Sequence, residues 1–226
     1  MATQRPVRSI PTAQGLRSYD VVRRDSVEGI KQSLYDRLTY AAAGQPSLDF
    51  FQVPQGQGTG VAGGVKTLED TNMELAGNLP NPKAFLLQGI ELAVVPNGLP
   101  VRLDTDAPTL PNMSNDMWQI LTRGWLELFI SSKMYLQEAP LLKFPSRNFL
   151  RADFAVAADN EAAPAMVTME LPVAAGQPFK LVPPITLRPT MNFRLSLKWS
   201  SNVALPSSQP AQIIANMTGL LYRNGQ

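Results

Sequence analysis

Residues 192–200 read NFRLSLKWS, where Phe193, Leu195, Leu197 and Trp199 alternate without a break with Arg194, Ser196 and Lys198. A period of two sends successive side chains to opposite faces of an extended chain, so this segment is a strand with one face in a core and one in polar surroundings. Other strand-like runs follow along most of the chain. LDFFQV (48–53) is closed by Pro54, and FLLQGIELAVV (85–95) by Pro96, Asn97 and Gly98. WLELFISSKMYLQ (125–137) makes a long strand or a hairpin. NFLRADFAVA (148–157) sets Phe149, Arg151 and Asp153 against Leu150, Ala152 and Phe154. AMVTMELPV (165–173), FKLV (179–182) and IIANMTGLLYR (213–223) complete the series.

About eight strands parted by proline and glycine turns, with no helices between them, predict an all-β sandwich or barrel. The hairpins are unevenly spaced and several connections are long. That favours a single eight-stranded jelly roll over an up-and-down barrel or an immunoglobulin sandwich.

One stretch follows a different period. Between Asp25 and Ala43, Val27, Ile30, Leu34, Leu38 and Ala41 recur at spacings of three and four, which predicts a short amphipathic helix. Asp25 with Glu28 resembles a capping box, and Gly44 suits the position past the helix end. The polar side mixes Glu28, Lys31, Gln32 and Asp36 and lacks a basic face, so the apolar stripe Val27, Ile30, Leu34 and Leu38 packs on the main domain or a partner rather than on lipid. Ahead of it, residues 1–24 carry Arg5, Arg8, Arg17, Arg23 and Arg24 against Asp20, 5 − 1 = +4, with Pro6 and Pro11 opposing regular structure. This is an extended basic arm, either solvated or reaching a neighbouring subunit, an encapsidated polymer or an anionic surface. The chain thus divides into an arm plus helix (1–44) and a jelly-roll β-sandwich (45–226).

Composition narrows the chemistry. Of 226 residues 44% are hydrophobic and 17% charged, below the roughly 25% charged of ordinary domains, so the chain buries much of itself. A net charge of +2 does not make nucleic acid the default partner. With no cysteine and no histidine, the chain has no disulfide, no thiolate metal site and no Ser-His-Asp triad. Catalysis would fall to carboxylates, lysine or a bound cofactor. The N-terminus lacks the apolar segment of a signal peptide, and Phe85–Val95 is too short to span a bilayer.

Two constellations invite a chemical reading. In PQGQGTGVAGGVKT (54–67), Gly58, Gly60 and Gly63 match G-x-G-x-x-G. A dinucleotide site needs a strand running into the first glycine and a helix opening on the others. Here Pro54 and Gln55 intervene, Gly60 and Gly64 crowd the helix start, and no second βαβ unit follows. A P-loop fails because Val65 separates Gly64 from Lys66. A flexible loop is expected instead. Paired carboxylates for a glycosidase could come from Glu127 with Glu138, Asp104 with Asp106, or Glu69 with Asp70, if two face each other at about 5 to 9 Å. Scattered acids more simply serve as solvated charges, and Trp118, Trp125 and Trp199 as core. Asp104 and Asp106 lack the ligand spacing of a calcium loop.

Three stretches resemble jelly-roll capsid proteins of tailless icosahedral bacteriophages and related viruses: ELFISSKMYLQEAPLLKFP (127–145), FKLVPPITLRPTMNFRLSLKW (179–199) and MTGLLYRNGQ (217–226). The resemblance implies an eight-stranded jelly roll with an N-terminal arm or helix reaching under neighbours, and self-assembly into a closed shell. It implies copies of the chain as partners in capsomers, other virion proteins beside them, and genome or internal-membrane contact through the arm. No catalysis, cofactor, metal or small-molecule substrate is expected, and the protein would be made in the host cytoplasm and reside in the virion. Loops 54–65, 96–114 and 200–212 could make the lateral contacts. The arm's modest charge leaves direct genome binding open. The other readings are a β-sandwich binding module, such as a virion spike or a carbohydrate- or receptor-binding protein, and a carboxylate glycosidase.

Overall fold

The computed structural model of the protein describes residues 27–96, 110–144, 153–155, 168–170 and 177–224. The elements run β1 (Val27–Tyr40), β2 (Ser47–Phe50), β3 (Ala84–Pro96), α1 (Leu110–Arg123), β4 (Gly124–Ile130) and β5 (Lys133–Glu138). A 3-10 turn (Leu141–Lys143) follows, then β6 (Asp153–Ala155), β7 (Thr168–Glu170), β8 (Phe179–Leu187), β9 (Phe193–Trp199) and β10 (Ala211–Asn224). Two four-stranded antiparallel sheets, ordered β1-β10-β3-β8 and β2-β9-β4-β5, form an all-β sandwich, and β6 pairs with β7 apart from them.

The pairing follows a simple scheme. Leaving β6 and β7 aside, the first strand pairs with the eighth, the second with the seventh, the third with the sixth and the fourth with the fifth. The chain is one long eight-strand hairpin wound on itself, and winding adds the β10–β3 and β9–β4 pairs. Alternation along β9 buries Phe193, Leu195, Leu197 and Trp199. They join Leu126, Leu128 and Ile130 of β4 and face Ile90, Ile213 and Met217 of the other sheet in one core cluster. Each such side chain contributes about 1.5–3 kcal/mol on burial, so the shared core is what holds the layers together.

The structure corrects the helix expected over residues 25–43. Residues 27–40 are a strand, paired residue for residue with β10 from Val27↔Asn224 to Tyr40↔Ala211. Ile30, Leu34 and Leu38 stand four apart, a spacing that satisfies a period of two as well as 3.6. The positions that separate the two readings are Asp36 and Tyr40, both fully buried on the parity of Leu34. The ladder with a strand more than 170 residues away overrides local propensity. These residues therefore belong to the first sheet of the sandwich rather than to a separate arm domain. The arginines 5, 8, 17, 23 and 24 lie outside the described residues.

A second correction concerns α1, since no helix was expected between the strands and the loop expected over 96–114 ends inside it. Met117 and Ile120, three apart, are buried, and the Trp199 indole N–H donates to the Ile120 carbonyl at 3.1 Å. Pro111 suits the first turn and Arg123 the last. Trp118 faces outward at 58% exposure rather than entering the core. Among the described residues, no helix is long and apolar enough to cross a membrane.

Candidate functional site

The glycine segment closes on itself. Gly56 N–H donates to Lys66 O at 2.8 Å, Lys66 N–H to Gln57 O at 3.2 Å, and Gly60 N–H to Gly64 O at 2.9 Å. A turn, not a helix, follows Gly63, so no helix N-terminus faces the glycines as a phosphate site requires. A Cβ at position 60 would lie 2.7 Å from Asp70 Oδ2, which explains glycine there. Asp70 is buried; burial alone would raise its pKa, but the N–H groups of Thr67 (2.9 Å) and Val61 (3.0 Å) and the Thr67 hydroxyl outweigh it and hold the carboxyl below its usual range.

Lys66, the one cation near the glycines, is spent inside the protein. Its ammonium lies 2.5 Å from Asp36 Oδ1, with side chains 2% and 0% exposed. Asp36 also accepts the N–H groups of Phe51 (2.6 Å) and Arg37 (3.1 Å). Burial pushes the Asp36 carboxyl above the usual carboxylate range, while Lys66 and the two N–H groups pull the other way. The expected flexible loop is thus pinned to β1 and to the start of the segment after β2.

Among the described residues, the candidate carboxylates are taken up by separate partners. Glu127 of β4 is buried and receives Lys198 Nζ at 2.7 Å, the Trp125 indole N–H at 2.9 Å and the Gln137 amide at 3.4 Å. Burial raises its pKa less than these partners, Lys198 foremost, lower it, and it stays below the usual range. Glu138 stands opposite Leu126. Leu126 is a core residue next to Glu127 in a strand, so the two acids leave opposite faces. Glu138 binds Lys143 at 2.7 Å and Glu69 binds Arg37 at 3.1 Å. Beside Glu127, Asp49 lies 3.7 Å from Arg194 and accepts the Ser196 hydroxyl, and the Arg194 guanidinium sits 4.8 Å from the Phe129 ring centroid. The charges of this outer face pair with one another. Asp104 and Asp106 lie outside the described residues, and no cluster of three metal-ligating side chains occurs among the described residues.

One cleft was not foreseen. Register shifts at Leu87/Gly89 in β3 and Thr218/Gly219 in β10 fall side by side. A Cβ on Gly219 would meet Leu86 O at 2.0 Å, so the shift needs glycine. The displaced strands open a cleft of about 550 Å³ lined by Lys31, Gln88, Gln177, Lys180, Val182 and Thr218. No ion pair engages either lysine among the described residues. The available signal was a lone glycine inside each strand pattern, which marks a bulge.

The sheet edges differ sharply in protection. β1 is covered, because Asn72 accepts Tyr35 N–H at 2.9 Å and donates to Ser33 O at 2.8 Å, and Thr71 donates to Tyr35 O at 3.0 Å. β8 carries Pro183 and Pro184, and β2 is four residues long. β5 has neither proline nor cover among the described residues, and exposes Met134 and Tyr135. The segment 200–212, expected as a contact loop, enters β10 at Ala211 and is packed down before it: Val203 and Leu205 are buried, Tyr40 donates to Val203 O at 2.9 Å and Ser207 N–H to Asp116 at 3.0 Å. Against known proteins, no family model, no curated protein and no solved structure matches this chain.

Proposed function

We propose that the sandwich is a single jelly roll and that the protein is a capsid subunit, assembling with copies of itself into an icosahedral shell around a genome. The observation that supports this reading is the strand order, 1-8-3-6 over 2-7-4-5 counting the eight sandwich strands, which is the order a double Greek-key jelly roll would have. That winding serves shell proteins, lectins and cupins alike, so the surface must choose between them. Here the second sheet's outer face neutralises its own charges, which leaves little for an acidic or sugar substrate. A bare strand edge and exposed large apolar side chains instead favour burial against other copies.

Light scattering and negative-stain microscopy of the purified full chain test the reading. Closed shells or stable capsomers are expected; a protein that stays monomeric at every concentration and ionic strength would sink it. The cleft at Lys31 and Lys180 favours the binding-module reading as the second choice. A glycan array that returns a specific hit, lost in Lys180→Ala, would move the assignment there.

A further inference from the structure

We infer that opposite edges of the sandwich are the two halves of one head-to-tail contact, in which the β5 edge of one copy seats on the 65–75 segment of the next. The inference rests on the capsid reading and specifies its lateral contact. Among the described residues, the large apolar side chains left exposed are Val65, Leu68, Leu75, Trp118, Met134, Tyr135, Leu142 and Val182. All but Val182 fall into two groups. Met134 and Tyr135 lie on β5, and Leu142 lies on the turn just after it, against which the Trp118 helix packs. Val65, Leu68 and Leu75 lie on the segment that covers β1, where Tyr35 donates its hydroxyl to Leu68 O.

The strand orders place these groups apart. β1 ends the first sheet and packs beside β2, which ends the second; β5 ends the second sheet on its other side. A two-fold contact needs one patch that complements itself, whereas two different patches on opposed edges suit a heterologous contact that closes into a ring. Charge agrees with that pairing. Glu69 and Glu74 border the first patch, with side chains 73% and 55% exposed. Their cationic partners Arg37 and Lys83 are less exposed, at 20% and 31%, so carboxylates dominate that surface; at the second patch Lys143 is 48% exposed against 32% for its partner Glu138, and Lys133 makes no ion pair among the described residues. Glu69, Glu74 and Lys143 are held by the half-buried Arg37, Lys83 and Glu138 in surface pairs that contribute little, and Lys133 sits 5.3 Å from the Tyr135 ring centroid. Docking would also cover the one strand edge left unguarded among the described residues.

Sedimentation velocity on the full chain tests this with Leu68→Glu, Tyr135→Glu and their equimolar mixture, each verified as folded by circular dichroism and thermal midpoint. Both sites are exposed, so folding is expected to survive. Each single variant should associate about 30-fold or more weakly than the parent. The mixture should form dimers and stop there, because the intact β5 edge of the Leu68→Glu copy meets the intact 65–75 segment of the Tyr135→Glu copy and no second contact remains. If the parent assembles and the variants assemble equally well, or the mixture stays monomeric, the head-to-tail contact is overturned while the capsid reading stands. A parent that never assembles overturns both.

Discussion

The β1 and β5 edges end their sheets in opposite ways. On β1 the chain brings its own cover: Asn72 and Thr71 take up the backbone groups of Ser33 and Tyr35, and the covering segment is fastened by the buried Lys66–Asp36 pair. On β5 nothing described takes that role, and Met134 and Tyr135 lie open. Unpaired strand edges template further pairing, and proteins that remain single guard them. A chain that guards one edge with a fastened loop and leaves the opposite one open has a direction, and direction is what head-to-tail assembly requires.

The guarded edge breaks most severely at its fastening. Lys66→Ala strands a buried carboxylate and should cost about 3–5 kcal/mol at neutral pH, read by chemical denaturation. The loss should shrink on acidification. Burial raises the Asp36 pKa in the folded state, and a raised carboxyl contributes stability below its unfolded value of about 4 and loses it as pH rises through the folded value. A cost that does not change with pH would contradict the assignment. Removing both charges while keeping an acceptor for the Phe51 N–H, Lys66→Met with Asp36→Asn, should recover most of the stability.

Stripping the cover itself is milder. Asn72→Ala removes two hydrogen bonds to β1 and should lower stability by about 1–2 kcal/mol, with faster amide exchange at Tyr35. Asp70, held below its usual range, acts in the opposite pH sense from Asp36: its contribution is present above about pH 4 and is lost as pH falls further. Asp70→Asn should therefore flatten the acid limb of the stability profile. On the bare edge, Tyr135→Ser should change monomer stability by no more than about 0.5 kcal/mol while weakening assembly. A large loss of stability there would mean that β5 is already covered within the chain.

Particular residues show what could be read in advance. β9 was legible because its period of two coincides with a buried face, β3 because an apolar run ends at Pro96, Asn97 and Gly98, and Ser131–Ser132 marks the hairpin between β4 and β5. β1 was not, because apolar residues four apart suit both periods and the strand is decided by distant β10. α1 was hidden behind a proline-rich approach, although Met117 and Ile120 carry its core-facing spacing. For the surface, the glycine segment was legible as a loop with no helix opening on it. Its fastening was invisible, since Lys66 and Asp36 are 30 residues apart and read singly as solvated charges. Which edge lies bare follows from strand order alone, and alternation within single strands carries no strand order.

The most direct measurement is hydrogen–deuterium exchange of the full chain in its assembled and dissociated states. Amides of residues 133–138 and of residues 65–75 should gain protection together on assembly, while those of β9 stay protected in both states. Assembly that leaves residues 133–138 exchanging as they do in the dissociated chain would contradict the account.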